Sequence, residues 1–166
     1  MNSRTKKIVM SSMLAALCCV ATMIIKIPSP LKGYMNLGDS VVLLCGFMLS
    51  PLYAFFAAGI GSALADIFSG YVIYAPVTFI IKGIMALSVY YGFKFMKNKT
   101  GRLTAKIICG IVSEIIMVVG YYVFEGFMYG FIPSAVNLPA NIIQGVFGLV
   151  LGMVLVNIFE KHKITL

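Results

Sequence analysis

Six apolar stretches, joined by short polar or Pro/Gly-rich connections, constrain this chain more than any other feature. A bilayer core about 30 Å thick takes about 20 apolar residues per crossing helix, so six crossings use about 120 residues and leave about 46 for ends and loops. Seven crossings would leave almost no connections, and four would leave apolar stretches unhoused. The apolar runs are continuous, not alternating, which argues against a transmembrane β-barrel. Only helices or closed barrels satisfy the backbone in lipid, so the expectation is an all-α membrane protein, a six-helix bundle forming one transmembrane domain over residues 1–166. Composition agrees: 61% of residues are hydrophobic and 11% charged, where a soluble domain has roughly 25% charged. A soluble enzyme, a disordered chain, a collagen and a disulfide scaffold are excluded.

The spacing predicts spans at about residues 8–25, 40–49, 52–68, 75–95, 105–124 and 137–158. The first is read as an uncleaved helix, because its apolar run is too long for a signal-peptide core and no small-residue cleavage site closes it. Residues 26–39, with two prolines and two glycines, read as a loop with fixed turns. Asp39 reads as an N-cap for the short second span, and residues 125–133 as a glycine-rich aromatic loop. The net charge of +8 sits in clusters beside the spans, which sets orientation rather than marking a nucleic-acid binder. Arg4, Lys6, Lys7, Lys94, Lys97, Lys99, Arg102, Lys106, Lys161 and Lys163 fall on one side, against Lys26 and Lys32 on the other. That asymmetry places both termini of a multi-pass membrane protein in the cytoplasm. Cys18, Cys19, Cys45 and Cys109 lie in apolar spans without metal-ligand spacing and read as packing residues.

Charges within a bilayer are functional candidates. Here they are Asp66, Lys82, Glu114 and, near the outer edge, Glu125. A structural ion pair of Lys82 with Asp66 or Glu114 competes with a polar grip on a small ligand. Asn137, Asn141 and Gln144 are spaced to share one helical face, and carboxamides both donate and accept, as a nitrogen-containing ring requires. Interhelical hydrogen bonding is the plainer use of the three. Tyr34, Tyr71, Tyr74, Tyr121, Tyr122 and Tyr129 gather by topology at the outer side, as an interfacial belt or as stacking groups. Small residues recur at intervals of four in the first, third and sixth spans, where helices can approach closely. On the first span, Ser11, Ser12, Ala15, Ala16 and Cys19 form a ridge suited to a partner. No nucleotide-binding phosphate loop, catalytic nucleophile–base motif or metal constellation occurs, so the chain is read as no enzyme, with no catalytic cofactor and no metal.

The segments Gly33-Tyr34-Met35-Asn36-Leu37-Gly38-Asp39, Ala65-Asp66 and Tyr74-Ala75-Pro76-x-Thr78-x-x-x-Lys82-Gly83 resemble the S components of energy-coupling-factor (ECF) vitamin transporters. The branch is the one that includes hydroxymethylpyrimidine, pyridoxine-type and riboflavin carriers. The resemblance implies six helices enclosing one vitamin under the first loop, a transmembrane coupling subunit, two cytoplasmic ATPases, and toppling in the membrane to carry the vitamin inward. The family's docking motif on the first helix is Ala-x-x-x-Ala, for which this chain offers Ser12-x-x-x-Ala16 or Ser11-x-x-x-Ala15. The expected substrate contacts are Tyr34 and Asn36 as lid groups, with Tyr74, Thr78, Lys82, Glu114, Tyr121, Asn137, Asn141 and Gln144. Alanine at Asn141 or Lys82 is expected to lower affinity without unfolding the protein. Two other classes remain open: a proton-coupled secondary carrier working through Glu114 and Asp66, and a non-transporting membrane scaffold.

Overall fold

A computed structural model describes residues 3–29 and 33–162. Lys32 and Lys163, counted in the charge asymmetry, lie outside the described residues. The chain is a helical bundle: α1 (Ser3–Ile24), a two-stranded flap of β1 (Ile27–Pro28) and β2 (Tyr34–Met35), then α2 (Gly38–Met48), α3 (Pro51–Phe68), α4 (Ala75–Met96), α5 (Arg102–Tyr129), α6 (Phe131–Ser134) and α7 (Leu138–Lys161). A single 3-10 turn, Ala135–Asn137, joins α6 to α7. Among the described residues, five helical stretches are long and apolar enough to cross a membrane, the last running Phe131–Lys161. The remaining predicted span, at 40–49, is the short apolar helix α2.

That short helix organises the rest. Eleven residues rise only about 16 Å, roughly half a hydrocarbon core. Beyond its first turn, which carries Asp39 and Ser40, the helix is apolar on every face, and Val41 to Cys45 are all buried, as a helix walled in on all sides must be. It packs against α1, α3, α4, α5 and α7. The half-layer above its N-terminus is therefore free for the flap, where Ile27 pairs with Met35 and Pro28 with Tyr34 in antiparallel register.

Close packing around α2 depends on side chains that are absent. A Cβ on Gly46 would stand 2.6 Å from the Val89 Cβ and 2.8 Å from the Ala86 carbonyl oxygen of α4. Gly46→Ala is therefore expected to lower stability by about 1–3 kcal/mol through overpacking, read as a drop in thermal midpoint in detergent. The small-residue ridges work the same way. Gly61 of α3 faces Ala15 and Cys18 of α1, and Gly152 of α7 faces Leu43 and Ser40 of α2.

Two expectations are corrected here. Asp39 is not the N-cap of α2: the cap position is Leu37, and Asp39 lies in the first turn. The Gly38 N–H is instead met by Asn36 Oδ1 at 2.9 Å. Residues 125–133 are not a loop either, because α5 continues to Tyr129 and α6 begins at Phe131. Gly130, at φ +92°, makes the break between them, a conformation that favours glycine.

Candidate functional site

Beneath the flap, the ends of α3, α4, α5 and α7 enclose a small polar cavity. Tyr34 and Asn36 come from the flap and the turn after it. Tyr74 and Thr78 come from the start of α4, Tyr121 from α5, and Asn141 and Gln144 from α7. These are seven of the ten residues that the sequence singles out as substrate contacts. Asp66, Tyr71 and Glu125 complete much of the remaining wall.

Hydrogen bonds hold the flap down at two points. The Tyr34 hydroxyl donates to Asp66 Oδ1 at 2.7 Å, and the Tyr34 ring rests 4.7 Å from that of Tyr71. Burial, and then the adjacent Asp66 carboxylate, hold the Tyr34 phenol well above the ordinary tyrosine range, so it remains a donor. The second point is Asn36, whose backbone N–H donates to Gln144 Oε1 at 3.0 Å. On the far wall, the hydroxyls of Thr78 and Tyr121 lie 3.0 Å apart, and Asn137 Nδ2 donates to both oxygens of Glu125 at 2.9 and 3.0 Å.

Three of the predicted contacts stand behind the wall. Lys82 is 2% exposed and pairs with Asp39, which is itself fully buried. Its partner is thus neither Asp66 nor Glu114. Asp39 Oδ2 accepts from Gln144 Nε2 at 2.6 Å, so Asn36, Gln144, Asp39 and Lys82 form one continuous polar chain from flap to bundle interior. The Lys82 ammonium also lies 5.4 Å from the centre of the Tyr121 ring, a cation–π contact that links this chain to the cavity wall. Asn137 is 1% exposed and braces Glu125. Glu114 faces away from the cavity, against Gly145 and Gly148, at the base of an apolar groove between α5 and α7. Neither of its carboxylate oxygens has a hydrogen-bond partner among the described residues.

A wide apolar groove of about 520 Å³ runs along the seam between α1 and α3 on the bundle's outer surface. Ser11, Ser12, Ala15, Ala16 and Cys19, the ridge expected to dock a partner, all line its α1 side.

Long apolar helices around a walled polar cavity make this a multi-pass membrane protein with a small enclosed polar site at one end of the bundle. The chain belongs to the family of ECF-type riboflavin transporter S components, which it matches over residues 2–161. It is accordingly a non-enzymatic, substrate-binding subunit of a vitamin-type transporter. Membership implies partnership with ECF transmembrane and ATPase modules. Among curated proteins, an uncharacterized protein of Pyrococcus woesei is 36% identical over 144 residues, covering 86% of this chain and 94% of that one. The thiamine precursor transporter HmpT of Lactococcus lactis is 25% identical over 169 residues, covering 98% and 93%. The solved S component of a bacterial ECF transporter has the same fold, with a TM-score of 0.73 at 24% identity over 96% of this chain and 98% of that one.

Proposed function

We propose that this subunit captures a small water-soluble vitamin or precursor, of the hydroxymethylpyrimidine, pyridoxine or riboflavin type, in the cavity beneath the flap. The flap end faces outward, six helices including α2 make up the bundle, and both termini lie in the cytoplasm of a bacterial cell. The lysine and arginine asymmetry supports this orientation. The observation that carries the reading is the cavity wall: four tyrosines with Asn36, Asn141, Gln144 and Thr78, convergent under a removable cover. Flat rings with nitrogen donors and acceptors suit such a lining.

The closed cavity leaves about 30 Å³, room for a water or two. A vitamin therefore enters only when the flap lifts and the Tyr34–Asp66 and Asn36–Gln144 bonds break. Nothing in the sequence hydrolyses ATP, so delivery depends on a coupling subunit seated in the α1–α3 groove and its two ATPases. Tight capture outside and release on toppling would follow from that division of labour.

Asn141 tests the site, since it lines the cavity without belonging to the buried ion-pair chain. Asn141→Ala is expected to weaken binding of riboflavin, hydroxymethylpyrimidine or pyridoxine about tenfold, the equivalent of one buried hydrogen bond, while the thermal midpoint without vitamin stays put. Unchanged affinity for whichever vitamin binds would remove this cavity from the reading.

A further inference from the structure

The cavity wall is acidic, and one of its oxygens is unspent. Asp66 and Glu125 both face the cavity, and among the described residues no lysine or arginine lines it. Lys82 lies behind the wall and is committed to Asp39, while Lys26, at the exposed rim, donates to Ser69 Oγ at 3.1 Å. Glu125 is well supplied, accepting from Asn137 and, at 3.4 Å, from the Tyr74 hydroxyl. Asp66 differs. It is 5% exposed, its Oδ1 is taken by Tyr34, and its Oδ2 has no hydrogen-bond partner among the described residues. The hydroxyl of Thr78, a fellow wall residue, lies within reach of the Asp66 carboxylate as well as 3.0 Å from the Tyr121 hydroxyl, yet Oδ2 still has no hydrogen bond among the described residues. A buried acceptor without a donor is costly, and one in a binding cavity is satisfied by what binds there.

Resting on the reading of this cavity as the vitamin site, the geometry points to Asp66 as its specificity-determining residue. Its open oxygen accepts an N–H on the edge of the ligand's ring, and the cavity admits neutral or positively charged heterocycles while rejecting those that carry a carboxylate or phosphate. An anionic group would lose its hydration and meet two carboxyl groups, with no lysine or arginine among the described residues of the lining to compensate. A ring lacking the N–H would leave the Asp66 oxygen as bare as it is now, the situation in which polar sites discriminate most sharply.

The test uses the full chain in lipid nanodiscs and six probes. Two are riboflavin and hydroxymethylpyrimidine. Two are their donor-deleted forms: riboflavin methylated at its ring imide nitrogen, and the pyrimidine without its amino group. The last two are the anions riboflavin monophosphate and pantothenate. At least one parent compound should bind, and deleting its donor should weaken binding about tenfold or more, with the anions about a hundredfold weaker still or undetectable. Asp66→Asn, which keeps an acceptor for Tyr34, should weaken the parent by a similar factor yet leave the donor-deleted form unchanged. Equal losses for parent and donor-deleted form would overturn the assignment, as would an anion binding as tightly as a neutral parent. If the variant does not fold, wild-type protein decides alone: equal affinity for parent and donor-deleted form overturns the proposal. Binding of no probe would overturn the vitamin-site reading itself, a result distinct from either failure of Asp66.

Discussion

Lys82→Met is expected to cost about 3–5 kcal/mol, because it leaves the Asp39 carboxylate buried without its counter-charge. The loss should appear as a large fall in thermal midpoint and in resistance to denaturing detergent. Asp39 cannot escape to solvent: it sits in the first turn of α2, fully buried, with α4 on one side and α7 on the other. The double replacement Asp39→Asn with Lys82→Met should recover much of the stability, since the pair is then removed together. Because Lys82 lies behind the cavity wall, the structure replaces the expectation that alanine there spares the fold. A single variant with unchanged stability would show that the buried pair is not what anchors α2 to α4.

The second large effect concerns the α1–α3 groove. Ala16 is exposed on α1 and lines it, about half a bundle away in sequence from the cavity helices α5 and α7. Ala16→Trp should fill the groove and prevent close approach of a partner helix, reducing ATP-dependent uptake about tenfold or more while vitamin affinity of the isolated subunit is unchanged. Uptake at the wild-type rate, measured in cells or proteoliposomes containing the ATPase subunits, would remove this groove as the docking face. A parallel loss of vitamin affinity would point instead to general damage of the bundle.

The helices were legible because lipid leaves the backbone few options: continuous apolar runs and the helix breaks at Ser50-Pro51 and Ser69-Gly70 mark them in sequence. The flap-side cluster was legible for a related reason, as Asn141 and Gln144 share a helical face that spacing alone predicts. What could not be read was pairing across helices. Asp39 follows a glycine at a helix start and has the residue type of a cap, yet its carboxylate serves Lys82 and Gln144, residues 43 and 105 positions away. The signal available is electrostatic: a lysine deep in an apolar span demands an acid, and Asp39 at the start of the second span is one. Residues 125–129 carry glycine and read as loop, but Glu125 is bonded to Asn137 and Tyr74, and the Phe131 ring packs on Gly126. Tertiary contacts there outweigh local propensity. Glu114 stands out in the sequence for its charge and depth; its direction, toward α7, depends on helix rotation that no periodicity fixes.

The proposed role requires that this chain hold a vitamin beneath its flap and rely on partner subunits to drive transport. Native mass spectrometry of protein purified from cells grown with riboflavin, hydroxymethylpyrimidine and pyridoxine tests it most directly. One small molecule of that kind bound per chain is expected, at reduced occupancy in Asn141→Ala and at full occupancy in Ala16→Trp. Protein that emerges without any such ligand, and is stabilised by none of the three when they are added back, would contradict it.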